Sequence, residues 1–254
     1  MKYAFISRIG QGAYGFVMKA RDVETGEIVA MKQIGLKTNL QNQMDILREI
    51  NALRHMKHLN VINLREVLYA ATTISIVLDF IESNLKLVIY DEKRPINLDL
   101  LKHFFFQVLK GLEYIHGLSI MHRDIKPDNI LISRSCRAVI ADFGLAGLYL
   151  PEDRERSYSH QVATRWYRAP ELLFGSVDYT PAVDMWAFGC VLVEYLNVSP
   201  LFEGANDIDQ IGKVFKILGT PTKLNWPNWE ATPDYGKMNF DKQEAISDWN
   251  TIGK

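Results

Sequence analysis

The sequence predicts an α+β fold, and three observations carry that expectation. The first eighty residues are short runs of β-branched and aromatic residues broken by glycine turns. Beyond Ile81 the apolar residues recur at threes and fours, as on the buried face of a helix. No internal repeat or low-complexity tract interrupts either part, so strands and helices segregate along the chain instead of alternating.

The bulk numbers set the outer limits. With 254 residues, 48% hydrophobic and 23% charged, the chain suits one large domain or two packed lobes. A formal net charge of −1 offers no basic field, so neither nucleic acid nor an anionic membrane is expected as a partner. The opening MKYAFISRIG lacks the apolar core of a secretory leader. No apolar run approaches the roughly 18 residues a spanning helix needs. Two cysteines, Cys136 and Cys190, suggest a reducing compartment, and their apolar neighbours predict core or near-core thiols. An intracellular, soluble protein is the expectation.

In chain order, Tyr3–Ile9, Phe16–Ala20 and Glu27–Ile34 read as strands, with Asp22-Val-Glu-Thr-Gly26 as the loop between the last two. Met44, Leu47, Ile50, Leu53 and Met56 recur at threes and predict a helix over 44–56 that carries Arg48 and Glu49. Two further strands are predicted at Ile62–Ala70 and Thr73–Phe80. Leu98–His116 places Leu101, Phe104, Phe105, Val108, Leu112 and Ile115 on one helical face, with Gly117 as its C-cap. Short strand-like runs flank Cys136, and Pro151–His160 is polar. Pro181–Leu196 is almost continuously apolar, as for a buried helix, and Asp207–Leu218 is a shorter helix stopped by Gly219 and Pro221.

Several polar motifs sit on this frame. Gly10-Gln-Gly12-Ala-Tyr-Gly15 follows the first strand, and glycines at this spacing let a backbone approach a polyphosphate. A dinucleotide-binding unit uses the same spacing but needs a helix straight afterwards, whereas Phe16-Val-Met-Lys-Ala20 is a strand. Lys32, in Val29-Ala30-Met31-Lys32, reads alone as a solvated edge residue. Paired with Glu49 of the following helix, it would hold an ammonium against α- and β-phosphates. Ile120-Met-His-Arg-Asp-Ile-Lys-Pro-Asp-Asn-Ile-Leu-Ile132 gathers the rest. There Asp124 can accept the proton of an attacking hydroxyl, and Lys126 can stabilise charge on a transferring phosphoryl group. Asn129 and, thirteen residues on, Asp142 of Asp142-Phe-Gly144 supply the hard oxygens that nucleotide-bound Mg²⁺ prefers. Asp184 opens the buried helix, where an unpaired carboxylate is costly, so it is expected to accept hydrogen bonds from the His122 and Arg123 backbone. The order and spacing of these motifs, ending at Ala169-Pro-Glu171, indicate a phosphoryl-transfer site.

At these residues the chain resembles a eukaryotic protein kinase of the cyclin-dependent kinase group. Ser157-Tyr-Ser-His-Gln-Val-Ala-Thr-Arg-Trp-Tyr-Arg-Ala-Pro-Glu171 is similar to that group's activation segment, and Leu218-Gly-Thr-Pro221 to the region after its buried helix. Val23–Ala30, His160–Trp166 and Pro200–Ile208 are most similar to the cell-cycle-related kinase subfamily, with the CDK-activating kinase second. The resemblance runs from about Tyr3 to about Phe240. It implies a bilobal fold, a β-rich N-lobe over 1–81 and a helical C-lobe over 82–254, using ATP and Mg²⁺. Asp124 would be the base, Asn129 and Asp142 the metal ligands, and Lys32 and Glu49 the phosphate-anchoring pair. Ile9, Gly10, Gly12, Gly15, Val17, Ala30, Lys32, Leu78, Asp79, Ile81, Asn84 and Leu131 would line the ATP site, Leu78 as gatekeeper and Asp79-Phe-Ile81 as hinge. Ser159 would be the activating phosphosite and Tyr14 an inhibitory one, with Arg48 and Arg123 as the phosphate pocket. Val162, Ala163 and Arg168 would impose a preference for substrates with Ser-Pro or Thr-Pro. A cyclin would dock on the 44–56 helix. The implied setting is cell-cycle or cilium-related signalling in the cytoplasm, the nucleus or the cilium.

The pattern also departs from the family. Ala13 replaces a threonine, Gly147 a cation of the phosphate pocket, and Asn84 an aspartate that touches ribose. The family's lobe continues for further helices, including an arginine that pairs with the glutamate of Ala169-Pro-Glu171, whereas this chain has no arginine after Arg168. The resemblance thus implies a lobe lacking its last helices. Glu171 is expected to be unpaired, and the faces of Val183–Leu196 and Ile208–Leu218 uncovered. The alternative to an active kinase is an impaired form acting as a binding module.

Overall fold

The computed structural model describes residues 2–12, 15–35, 40–93, 97–150, 152 and 157–248. Tyr14 and Ala13 lie outside them. The N-terminal strands are β1 (Tyr3–Gly12), β2 (Gly15–Asp22) and β3 (Ile28–Gly35). After α1 (Leu40–Arg54) come β4 (Leu64–Tyr69) and β5 (Thr73–Asp79). These five strands form one antiparallel sheet, ordered β1-β2-β3-β5-β4. Its register sets Lys32 opposite Val17 on one side and Ile76 on the other. The helix lays Ile46, Ile50 and Leu53 against Ile34, Ile74 and Ile76 of the sheet, all buried. It starts before Met44 and stops before Met56, because His55 and Met56 donate to Ala52 and Leu53 in a tighter turn.

The remainder is helical, with small sheets at its upper edge. β6 (Ser83–Asn84) leads into α2 (Leu85–Ile89), then α3 (Leu98–Gly117), β7 (Ile120–Met121), β8 (Ile130–Ile132), β9 (Ala138–Ile140) and β10 (Gly147–Leu148). Then come α4 (Pro170–Leu173), α5 (Ala182–Asn197) and α6 (Asp207–Leu218). Phe105 of α3 packs edge-on against Phe188 and Tyr195 of α5, with centroids 5.4 and 5.8 Å apart. β9 joins the two parts: Ile62 N–H donates to Ile140 O and Ile140 N–H to Asn60 O, each at 2.9 Å. None of the described helices is long and apolar enough to cross a membrane.

Three expectations are corrected. Gly117 is the last residue of α3, and the left-handed turn falls on Ser119 (φ 58°). Cys136 is exposed at the turn between β8 and β9, because a three-residue strand on each side leaves no core around it. Cys190 is buried, and burial pushes its thiol up to about 12. Finally, the outer face of α6 is mostly covered. Residues 219–248 double back, with Thr220 N–H on Gln243 O and Ile246 N–H on Ile217 O. Phe240 closes edge-on over Phe215 at 5.1 Å, and Trp229 over Phe174 at 6.0 Å. Phe174 and Phe215 are each 2% exposed as a result, while Ile208 and Met185 stay open to solvent.

Candidate active site

The loop between β7 and β8 is shaped by Asp184, at the start of α5 and 1% exposed. Its carboxylate accepts from His122 N–H (2.8 Å), Arg123 N–H (2.7 Å) and the His116 ring (2.8 Å). That is the contact expected of it, and it holds Arg123 at φ 66°, a conformation non-glycine residues rarely adopt. His122 is fully buried: its Nε2 lies 3.0 Å from Ala141 O, its Nδ1 accepts from Asp124 N–H, and its ring meets Phe143 edge-on. β9 ends at Ile140, and the next N–H, that of Ala141, donates to Asn129 O, so Asp142 comes alongside Asn129.

The Asp124 carboxylate is held at both oxygens. One takes Lys126 Nζ (2.7 Å) and Asn129 Nδ2 (3.0 Å), the other the N–H and hydroxyl of Thr164, both at 3.0 Å. Lys126 also donates to Thr164 Oγ1 at 2.9 Å. Thr164 was not foreseen from the sequence; it lies forty positions from its partner and carries no local signal. Asn129 turns its amide nitrogen to Asp124, leaving its amide oxygen for a cation.

Lys32 is the junction between the two parts. Its Nζ sits 2.8 Å from both Glu49 oxygens and 3.0 Å from Asp142 Oδ1. Burial disfavours the ammonium, but Glu49 and Asp142 outweigh it and hold Lys32 above the usual lysine range. Burial likewise raises the Asp142 carboxyl, but Lys32 wins and holds it below the usual aspartate range. Asp142 itself has φ 63°, which turns its carboxylate back to the cleft. Around these groups a cleft of about 520 Å³ is lined by Gln11, Lys32, Asp124, Lys126, Asn129 and Asp142.

Toward the hinge, Ile9 is exposed and Val17, Ala30, Leu78 and Leu131 are partly buried, as for the walls of an open slot. Asp79 N–H is spent on Asn63 O and its side chain on Arg65, whereas Ile81 makes no backbone hydrogen bond among the described residues. Asn84 caps α2 by accepting from Leu87 N–H at 2.9 Å, so one lone pair of its amide oxygen is already engaged. The glycines differ. A Cβ on Gly15 would lie 1.9 Å from Gln33 O, so this glycine is required by sheet packing; one on Gly10 would meet Val17 at an ordinary 3.6 Å.

The segment after Asp142 departs from expectation at the phosphate pocket. A Cβ on Gly147 would fall 2.7 Å from Arg123 Cζ, so the room left by the missing side chain is taken by the Arg123 guanidinium. That guanidinium is already committed, to Leu145 O (2.7 Å), Ala146 O (3.1 Å) and the Tyr179 hydroxyl (3.0 Å). With Arg48 and exposed Ser159, Arg123 lines a cavity of about 940 Å³ beneath α1. Further on, Arg168 donates to Val162 O and Ala163 O, both at 3.0 Å, and Ala163 has φ 65°. No cation pairs with Glu171 among the described residues, and burial raises its carboxyl.

A β-rich lobe and a helical lobe, with a lysine–glutamate pair and a polar catalytic loop between them, define a protein kinase. Residues 3–247 match the protein kinase domain, and the chain belongs to that family. It is 45% identical over 249 residues to Cyclin-dependent kinase 20 of Danio rerio, covering 96% of this chain and 72% of that protein. The human Cyclin-dependent kinase 20 is 46% identical over 246 residues, or 95% and 70% of the two chains. Cyclin-dependent kinase 7 of Caenorhabditis elegans is 41% identical over 238 residues, or 92% and 72%. These relatives put the chain in the cyclin-dependent kinase class of ATP- and Mg²⁺-using serine/threonine protein kinases, as expected from its motifs.

The Asp184 contacts generate a stability prediction. Asp184→Asn replaces one acceptor oxygen by a donor facing buried N–H groups, and should lower unfolding free energy by about 2–4 kcal/mol. Urea denaturation checks this; a loss below about 0.5 kcal/mol, the scale of an indifferent surface change, would show that the carboxylate is not what holds the loop.

Proposed function

We propose that this chain transfers the γ-phosphate of ATP to serine or threonine hydroxyls that precede proline. The observation that carries the reading is Arg168, which takes up both Val162 O and Ala163 O. A residue following the phosphoacceptor finds no backbone acceptor there for its N–H, and proline, which has none, loses nothing. Asp124 acts as base: as the hydroxyl oxygen bonds to the γ-phosphorus and the bond to ADP breaks, its proton passes to the carboxylate. Lys126, shared between Asp124 and Thr164, faces the transferring group, and Lys32 orients the phosphates. Asn129 and Asp142 are the residues that would hold Mg²⁺, since each keeps a hard oxygen clear of its protein partners. When bound, that ion neutralises charge on the phosphate oxygens. Ile9, Gly10, Gly12, Val17, Ala30, Leu78, Asp79, Ile81, Asn84 and Leu131 form the adenosine side of the same reading.

On a Ser-Pro peptide, replacing proline by alanine should lower kcat/KM about 10- to 100-fold, the consequence of one unpaired N–H at 1–3 kcal/mol. Equal rates for both peptides would refute proline direction.

Asp124→Asn should lower kcat by about 10²–10⁴ while Mg·ATP still raises the melting temperature. A variant that turns over like wild type would remove Asp124 from the role of base.

The partner reading rests on α1, where Met44 and Leu47 are 57% and 48% exposed on the face opposite Glu49. A cyclin seated there would bear on the helix that carries Glu49, in a cell-cycle or cilium-related setting within the cytoplasm, nucleus or cilium. Leu47→Glu, with folding verified by circular dichroism, should recover at least about tenfold less cyclin in a pull-down. Undiminished recovery would place the partner elsewhere.

A further inference from the structure

Arg123 is a buried cation whose guanidinium meets neutral acceptors among its recorded contacts: two carbonyls and one phenol. The phenol is the unusual member. Tyr179 is 3% exposed, lies just before α5, and donates its own proton to the backbone carbonyl of Ser159 at 2.7 Å. Its ring leans on Tyr158 at 5.1 Å, and the two share an apolar cluster with Met121, Val162, Leu172 and Val183. Burial raises the Tyr179 hydroxyl against the opposing pull of Arg123, so it remains a proton donor at neutral pH.

The chain of contacts joins the start of the activation segment to its middle. Asp184 holds Arg123, Arg123 holds Leu145 and Ala146 just after Asp142, and Tyr179 passes the same cation's polarisation on to Ser159. Five residues beyond Ser159 stands Thr164, on the Asp124 carboxylate. None of these bonds uses the Ser159 side chain. Gly147 permits the arrangement, because any Cβ there would push into the guanidinium.

Resting on the kinase reading above, we propose that the Tyr179 hydroxyl is a positioning group that closes the activation segment onto Arg123 without a phosphate. The phenol accepts from the cation as a phosphate oxygen would, and hands the constraint to the main chain at Ser159. The unphosphorylated protein is then already ordered at 157–164, and modification of Ser159 adds little.

The test uses phosphatase-treated full-length chain, its unmodified mass confirmed, with Mg·ATP and a Ser-Pro peptide. Ser159→Ala keeps the backbone carbonyl and should hold kcat within about twofold. Tyr179→Phe should lower kcat about tenfold at unchanged KM for ATP, with kcat referred to the folded fraction measured by circular dichroism, because loss of folded protein alone would also lower apparent kcat at constant KM. Gly147→Ala, which displaces Arg123 from the other side, should give a similar loss, and the double variant should lose no more than either single one. Hydrogen exchange across 157–164 should quicken in Tyr179→Phe and Gly147→Ala but not in Ser159→Ala. That readout needs no turnover, so a chain lacking phosphotransferase activity would still test the clasp. Unchanged kcat and exchange in Tyr179→Phe, additive losses in the double variant, or an equal loss in Ser159→Ala would each overturn the proposal. If Tyr179→Phe does not fold, the Gly147→Ala exchange and kcat data decide alone.

Discussion

The geometry of the catalytic loop depends on one buried carboxylate. Asp184 is almost completely removed from water, and its charge is tolerable because three donors converge on it. Two of those are consecutive backbone N–H groups, which forces the chain through the left-handed conformation at Arg123. From that turn Asp124 is presented to the cleft and Arg123 to the activation segment. A neutral packing residue at 184 would leave both N–H groups stranded in the core, so the strain at Arg123 and the charge at Asp184 sustain each other.

A second constraint couples the two lobes through Lys32. Its ammonium is buried beside two carboxylates, one on the α1 helix and one on the Asp142 turn, so an opposing charge arrives from each lobe. Breaking either contact leaves a buried charge short of its partner, which makes the position of α1 and the orientation of Asp142 a single property. This is the physical basis on which a protein bound to the exposed face of α1 would reach the nucleotide site.

The C-terminal stretch follows a different logic. Its contribution is apolar area: a set of aromatic rings stacked edge-to-face over α4 and α6, with Gly219 in the positive-φ turn that starts the return. Glu171, by contrast, has nothing equivalent. Burial raises its carboxyl because no cation approaches it among the described residues.

Much of the site could be read from the chain because its chemistry is local. A lysine on a strand, a glutamate on the next helix, and Asp124, Lys126 and Asn129 within six residues admit few other uses, and the period of the apolar residues set strands and helices to within a few positions. Reading failed where a contact crosses long separations without a matching residue type. Thr164 on Asp124, the Tyr179 hydroxyl between Arg123 and Ser159, and the return of residues 219–248 over Phe215 leave no local pattern. The same holds for Gly15, spaced like a phosphate-binding glycine but required by Gln33 O, and for Cys136, whose apolar neighbours do not show that its turn faces solvent. The sequence by itself nominated the candidate groups and the elements on which they ride, since short-range spacing and side-chain type decide those. Only the tertiary structure decided which of them are already spent on one another, because hydrogen-bond capacity is allotted by distance in space and not along the chain.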